Sequence, residues 1–324
     1  MERIIYTGGK PEKEIFEVFS ETMEELFRED SSVAYIDADL MASMRTKDLW
    51  EKYPKNVFNT GIQEANMVGV AGGMNLAGLK PYIHSFAPFA VRRCFDQIYV
   101  TAGYAHKSVR IIGSEPGICA TDNGGTHMTF EDMALIRTIP EACVIDVSDA
   151  KMFRQLLKKT KERKGVTYFR TPRRGLLDIY PSETVFEVGK GKLLREGNDV
   201  TIISSGIMVS TALQAAKALH EMGLEVNVVD PVTVKPLDTE LIEMLARRTK
   251  AIVTVENHSI IGGLGSAVAE ILSESYPVPI ERVGVKDQFG QVGNEEFLRE
   301  QYSLTIEEII ERVKKLLNGK NTGR

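Results

Sequence analysis

Three segments of this 324-residue sequence combine side chains that could move protons and hold a flat or anionic ligand. In the first, residues 59–78, the carboxyl group of Glu64 precedes a run of small residues and methionines. That composition predicts a helix buried on most sides, where an ionised carboxylate must be paired or kept neutral. Such a carboxyl group can exchange a proton near neutral pH. The alternative is a helix-terminal glutamate that only faces the positive end of the helix dipole.

Aromatic side chains mark the second segment, residues 84–97, where Phe86 and Phe89 stand on either side of Pro88. A strand is predicted to end and a helix to begin at this point. An aromatic pair at such a junction can stack on a flat heterocycle. The alternative is that both rings belong to the hydrophobic core.

The third segment, residues 113–127, is a glycine-rich loop that follows a predicted strand and contains Asn123 and His127. Open α/β folds bind ligands with the loops at the carboxyl ends of their strands. Two interpretations of His127 stay open. It contacts a ligand or reacting group, or it makes a hydrogen bond within the loop.

Short apolar runs alternate with longer amphipathic stretches, which predicts βαβ crossovers and mainly parallel sheets. The alternation stops over residues 176–198, so we place a domain boundary near residue 185. Before the boundary we predict helices at 11–28, 63–76, 88–105 and 150–161, and strands at 32–37, 82–84, 109–113, 143–146 and 166–170. After it we predict strands at 200–204, 226–229 and 252–256, and helices at 208–221, 237–246, 265–273 and 305–317.

Composition limits the classes of function. Hydrophobic residues make up 43% and charged residues 26% of the chain, and the formal charge is -5, so no nucleic-acid or anionic-membrane partner is expected. The three cysteines lack metal-binding spacing. Residues 1–14 lack the apolar core of a signal peptide, and no apolar run is long enough for a transmembrane helix. We therefore expect a cytoplasmic protein.

A glycine group at 262–265 follows a predicted strand but departs from the dinucleotide-binding pattern, because Val268 occupies its last position. A tight turn is the favoured interpretation. For His258, which lies just before this group, a structural or subunit-contact role is favoured.

Taken together and in this order, GIQEANMVG, SFAPFAVRRCFDQI and DNGGTHMTFED resemble the C-terminal half of the thiamine-diphosphate-dependent transketolase family. The resemblance covers residues 11–317. In split transketolases this half is a separate chain. The resemblance implies an α/β pyrimidine-binding domain over 1–185, with a mainly parallel sheet, and a smaller α/β domain of the transketolase C-terminal type over 186–324.

The resemblance also implies roles for individual residues. Glu64 corresponds to the glutamate that shares a proton with the aminopyrimidine ring of the cofactor. The residues implied to lie against or near the cofactor are Phe86, Phe89 and Asp39. Those implied to contact the substrate are His127 near the reacting carbon, Ser43 and Arg170 at the phosphate, and Asn123, which replaces the family's common aspartate. Glu115 stands where sugar-phosphate transketolases often have a phosphate-binding histidine.

The family's G-D-G motif, which binds Mg²⁺ (or Ca²⁺) and the diphosphate, does not occur in the sequence. The resemblance therefore implies an N-terminal partner subunit, assembled as two copies with a dimer of this chain. The implied reaction moves a two-carbon ketol unit between sugar phosphates, as in the pentose phosphate pathway. Three alternatives stay open: a β-type subunit of a 2-oxoacid dehydrogenase, a deoxyxylulose phosphate synthase type, and a non-catalytic stabilising subunit.

Overall fold

The structure, a computed structural model, describes residues 4, 6 and 10–321. Part of the segment 1–14, on which the expectation about a signal peptide rests, lies outside these residues. The strands are β1 Val33–Asp37, β2 Val57–Asn59, β3 Lys80–Phe86, β4 Val109–Ser114, β5 Cys143–Asp146, β6 Val166–Thr171, β7 Lys192–Arg195, β8 Val200–Ser204, β9 Val226–Asp230, β10 Thr233–Lys235, β11 Ile252–Ser259 and β12 Ile280–Val285. The helices are α1 Ile15–Glu29, α2 Lys47–Lys52, α3 Glu64–Leu76, α4 Ala87–Ala90, α5 Phe95–Gln97, α6 Asp132–Arg137, α7 Ala150–Lys159, α8 Met208–Glu221, α9 Thr239–Thr249, α10 Leu264–Ser275, α11 Glu295–Gln301 and α12 Ile306–Asn321.

The strands form two mainly parallel sheets, which confirms the predicted fold class. The first has seven strands in the order β10-β5-β6-β4-β3-β1-β2, and the second has five in the order β12-β11-β8-β9-β7. One edge strand of each sheet is antiparallel, β10 in the first and β7 in the second. Because β10 comes from the second half of the chain, the two halves share the first sheet. The domain boundary near residue 185 stays a prediction.

Successive side chains of each central strand point to opposite faces of the sheet, so both faces are covered by apolar side chains. In β1, for example, Tyr35 packs into one buried cluster and Ile36 into the other. Within the described residues, we find no helix that is both long and apolar enough to cross a bilayer.

Two predicted helices differ from the structure at residues that matter for the site. α1 begins at Ile15 rather than at residue 11, because Glu14 and Glu17 form a capping box at its first turn. The segment predicted to be helical over 88–105 is helical, but it is not one continuous α-helix. The chain there forms α4, a 3₁₀ turn at Arg92–Cys94, the one-turn α5 and a π-helix at Ile98–Tyr104. The apolar spacing is nearly the same in all of these, so spacing cannot separate them.

α3 is less buried than its composition predicts. One side packs against the π-helix, where a side chain at Gly72 would meet Thr101. On another side Gly69 and Gly73 are exposed, and an added Cβ at either would meet no atom within 4 Å. The large apolar side chains exposed on these two elements and just before α3 are Ile62, Leu76, Tyr99, Val100 and Tyr104. We call these residues, with Gly69 and Gly73, the apolar face.

Candidate active site

The carboxyl ends of four parallel strands meet at one edge of the seven-stranded sheet. The paired residues at this edge are Asp37 of β1 with His84 of β3, Phe86 of β3 with Ser114 of β4, and Ser114 with Thr171 of β6. The second and third segments identified in the sequence extend from the ends of β3 and β4. The first segment begins at Asn59, the last residue of β2, which pairs with Asp37 at the same edge. This edge is therefore the candidate site.

Glu64 begins α3 beside this edge, and its side chain is only 3% exposed. Arg93 Nη1 donates to both carboxylate oxygens at 3.0 and 2.9 Å, and the Ser85 hydroxyl donates to one of them at 3.2 Å. Burial, and to a smaller extent the negative charge of Glu64, raises the pKa of the neighbouring Cys94 thiol to about 12. The buried carboxylate is thus paired, and its partner Arg93 is 44% exposed.

Arg93 was missed in the sequence analysis. It follows Phe89 by four residues, the spacing that brings side chains to the same side of a helix. Its guanidinium carbon lies 3.9 Å from the centre of the Phe89 ring. That spacing from the aromatic pair is the signal that could have identified it.

Beyond Arg93 lie three rings that contact one another, Phe86, Phe89 and His127. Their centres are 6.4 Å apart for the two phenylalanines, 5.0 Å for Phe89 and His127, and 6.2 Å for Phe86 and His127. All three side chains are half-buried, so the phenylalanines are not simply core residues. His127 Nδ1 also lies 2.9 Å from the Thr126 hydroxyl, so His127 has a hydrogen-bond partner within its loop.

A cavity of about 110 Å³ opens beside these rings, under the loop formed by residues 115–131. Its lining includes Asn123 and His127 of this loop. A larger cavity of about 700 Å³ shares Glu115 and Arg173 with this lining, and it is also lined by Gln214 and Arg299 of the second half of the chain. The site therefore lies at the junction of the two halves.

Arg173 supplies positive charge to both cavities. Its Nε and its backbone N–H donate to the Glu115 carboxylate at 2.7 and 2.9 Å, and its Nη1 donates to the Ser43 hydroxyl. Its guanidinium carbon lies 5.5 Å from the centre of the Phe86 ring. The sequence analysis missed Arg173, although the RTPRR run that contains it was a visible signal.

Asp39 and Ser43 lie in the turn after β1. The carboxylate of the buried Asp37 accepts the backbone N–H of Leu40 and so fixes this turn. Asp39 is exposed, with a φ of +67°, and it exchanges hydrogen bonds with the Asn59 side chain at 3.1 and 3.3 Å. Asp39 is therefore exposed to solvent after the end of β1, and it lines neither cavity.

Arg170 does not reach the cavities, and the structure corrects the phosphate-binding role predicted for it. Its side chain is 1% exposed and donates to Asp132 at 2.8 Å, to Asp146 at 3.3 Å and to the carbonyl oxygen of Asn257 at 2.5 Å. Burial lowers the pKa of Arg170, but the two carboxylates more than offset burial and raise it. All three guanidinium nitrogens donate inside the protein, and the buried side chain lines neither cavity, so it cannot reach a phosphate there. Arg173 lines the cavities instead.

Two family models match the chain. The transketolase pyrimidine binding domain matches residues 12–177, and the transketolase C-terminal domain matches residues 189–309. The chain belongs to the transketolase family. This confirms the family that the three sequence segments indicated.

The chain matches some relatives over nearly their whole length and others over about half of it. The chain is 43% identical, over 92% of each chain, to the 6-deoxy-6-sulfo-D-fructose transketolase subunit SqwH of Clostridium sp. (strain MSTE9). A solved structure described as a split gene transketolase, inactive beta4 tetramer, matches with a TM-score of 0.88 and 40% identity, over 94% of this chain and 98% of that chain. The 1-deoxy-D-xylulose-5-phosphate synthase of Heliobacterium modesticaldum is 34% identical over 90% of this chain but over 45% of its own length.

Transketolases depend on thiamine diphosphate, and the site fits one end of that cofactor. A buried carboxylate, Glu64, lies near half-buried rings, as a planar aminopyrimidine with a titrating ring nitrogen requires. Among the described residues, no three His, Cys, Asp or Glu side chains are grouped so as to hold a metal ion.

Proposed function

We propose that this chain is the C-terminal subunit of a split, thiamine-diphosphate-dependent transketolase that acts only together with an N-terminal subunit. It transfers a two-carbon ketol unit from a ketose phosphate to an aldose phosphate, the chemistry of the pentose phosphate pathway. The observation that carries the proposal is the buried Glu64 carboxylate, held by Arg93 against the aromatic rings. A carboxyl group in that setting can exchange a proton with the cofactor's pyrimidine ring.

At the cofactor end, Glu64 shares a proton with the ring nitrogen, Phe86 and Phe89 pack on the ring, and Asp39 lies near it. The bound cofactor supplies the nucleophilic carbon that takes up the two-carbon unit. Arg93 orients the Glu64 carboxylate, and because Arg93 is half-exposed it is free to yield one of its contacts when the ring binds.

At the substrate end, His127 and Asn123 contact sugar oxygens. Arg173 takes the role that the sequence analysis gave to Arg170, and it binds the anionic end of the substrate together with Ser43. The hydrogen bond between Arg173 and the Ser43 hydroxyl supports this, because it puts Ser43 beside an arginine that lines both cavities.

A sulfonated ketose is a second candidate donor, and Glu115 favours it. The Glu115 carboxylate already accepts two hydrogen bonds from Arg173 and offsets its charge. A phosphate monoester carries about 1.5–2 negative charges near pH 7, whereas a sulfonate carries one, so a neighbouring carboxylate repels the phosphate more. The Clostridium relative is named for a sulfonated ketose.

We place the N-terminal subunit, which binds the diphosphate and the metal ion, on the apolar face. This face is continuous with the site, because Glu64 begins the same helix that carries Gly69, Gly73 and Leu76. Leu76 is 74% exposed and Tyr104 is 80% exposed, and exposed apolar groups of this kind mark interaction surfaces. Longer relatives carry a second half within one chain, which a separate partner would replace here.

The function is tested by titrating thiamine diphosphate and Mg²⁺ into the isolated chain, into its candidate partner with G-D-G, and into their mixture. We expect calorimetric binding and ketol transfer by the mixture. For the isolated chain we expect negligible turnover and no micromolar cofactor affinity, since it holds only the pyrimidine end. Micromolar affinity or full activity of the chain alone would contradict the proposal.

Substrate choice is settled on the same complex with a donor panel. Xylulose 5-phosphate and fructose 6-phosphate test the phosphate proposal, and 6-deoxy-6-sulfofructose tests the sulfonate candidate. Pyruvate with glyceraldehyde 3-phosphate tests the synthase alternative, and branched 2-oxoacids test the dehydrogenase alternative. A complex that assembles but turns over none of these substrates favours the non-catalytic subunit.

The docking surface is tested by Gly73→Glu. Since a side chain there meets open space, we expect the variant to fold normally and to bind the N-terminal subunit at least about 100-fold more weakly, because a buried unpaired charge is costly. The control is Lys314→Glu on the exposed side of α12. Sedimentation measures assembly. Unchanged partner binding, or loss of self-association alone, would contradict this placement.

A further inference from the structure

A buried side chain from the second half of the chain, Asn257 of β11, holds the start of the 115–131 loop. Asn257 is 1% exposed. Its Oδ1 accepts the backbone N–H of Ile118 at 3.0 Å, and its Nδ2 donates to the carbonyl oxygen of Pro116 at 3.2 Å. One amide group thus satisfies a donor and an acceptor of the same turn, which neither an aspartate nor an alanine can do.

The turn approaches Asn257 so closely that it has no room for a side chain. Gly117, between the two bonded residues, has a φ of +56°, and a Cβ added to it would lie 2.2 Å from Asn257 Oδ1. Glycine is therefore required at this position both for its backbone conformation and for the contact.

β11 contacts the loop at a second point as well. The backbone N–H of Ser259 donates to the carbonyl oxygen of Phe130 at 2.9 Å. The carbonyl oxygen of Asn257 is itself held by Arg170, the arginine that spans the two halves. Asn123 and His127 lie between the two points where β11 holds the loop, in a stretch that residues 290–293 also contact. Their positions therefore depend in part on β11.

We propose that Asn257 is a positioning residue for the sugar-binding end of the site and acts through the 115–131 loop. The kinetic part of this inference rests on the proposed function. A displacement of about 1 Å in a reacting geometry costs up to about 100-fold in rate. Glu64 and its partner Arg93 lie outside the loop, whereas the rings of Phe86 and Phe89 contact His127. A displaced loop should therefore change cofactor affinity much less than it changes turnover of the sugar.

The experiment compares Asn257→Ala and Asn257→Asp with the same changes at Asn227, in the assembled complex. Asn227 is an equally buried asparagine of the same sheet, bonded to the Gly197 N–H and the Thr201 hydroxyl at 2.9 Å each. We expect the Asn257 variants to speed amide exchange across the 115–131 loop and to lower kcat/KM for the sugar donor by about 100-fold, with a much smaller change in cofactor affinity. The Asn227 variants are expected to lower only the melting temperature.

Gly117→Ala tests the same contact from the loop side, should the Asn257 variants fold poorly. As a single change, Gly117→Ala should displace the loop, because its Cβ would collide with the Asn257 amide. In the double variant with Asn257→Ala, which removes the obstructing amide, the combined effect should be smaller than the sum of the two single changes.

The inference would be overturned if the Asn257 variants showed the amide exchange of the wild-type loop. It would also be overturned if the Asn227 variants changed loop exchange and kcat/KM as much as the Asn257 variants do. Because amide exchange does not depend on turnover, a complex without transketolase activity would contradict the proposed function while this test still decides the positioning role.

Discussion

Replacing Glu64 by alanine should lower ketol-transfer turnover of the assembled complex by about 10²–10⁴-fold, the usual contribution of a group that exchanges a proton in the reaction. Without the carboxyl group, the pyrimidine nitrogen has no partner with which to share a proton. Arg93 loses its counter-ion, but it is half-exposed and water can solvate it. We therefore expect assembly and the melting temperature to stay close to those of the wild type. Steady-state turnover and sedimentation of the same preparation measure both quantities.

Glu64→Gln separates proton exchange from packing, because the amide keeps the shape and a hydrogen bond to Ser85 but cannot exchange the proton. It should be nearly as inactive as the alanine variant. Glu281→Ala is the matched control, since Glu281 also pairs with cations, Arg312 and Lys315, but on the other sheet. Activity above about a tenth of the wild type in either Glu64 variant would contradict the assigned role, since proton-exchanging groups contribute at least 10²-fold.

Central strands and helices with one apolar side could be predicted from the sequence. The strands Cys143–Asp146 and Val200–Ser204 and the helix Met208–Glu221 have the predicted bounds. Central parallel strands consist of short apolar runs, and the helices between them have a clear apolar stripe, so local sequence determines both. The edge strands β7 and β10 were missed. Each pairs antiparallel with a strand distant in sequence, so only the tertiary structure defines it.

The site was predictable only where the functional residue belongs to a local pattern. Glu64 precedes a small-residue helix, and Phe86 and His127 follow strands, so their positions at the sheet edge could be inferred. The sequence did not show which of Arg170 and Arg173 lines the cavities. Arg170 is the penultimate residue of β6 and points into the interior, whereas Arg173 lies beyond the strand end. The partners of Arg170 come from separate elements, and no local pattern contains them.

Replacing Arg170 by methionine should destabilise the protein by about 3–5 kcal/mol, because two buried carboxylates lose their counter-charge. Asp132 and Asp146 are the carboxylates concerned, and both are almost completely buried. Chemical denaturation of wild type and variant measures the difference. Arg110→Met is the control. Arg110 is equally buried, but its bonds go to the backbone carbonyl oxygens of Ser108, Thr160, Lys161 and Arg163.

The pH dependence distinguishes lost charge pairing from lost packing. Burial already raises the pKa of Asp146, and Arg170 opposes that rise. In Arg170→Met the folded-state pKa of Asp146 should therefore rise further above its unfolded value. A group whose pKa is higher in the folded state takes up its proton on folding, so stability falls as pH rises. The deficit of Arg170→Met should shrink as the pH falls toward about 4, the unfolded-state pKa of an aspartate, while that of Arg110→Met should stay constant. Equal pH dependence in the two variants would mean that Arg170 contributes through packing alone.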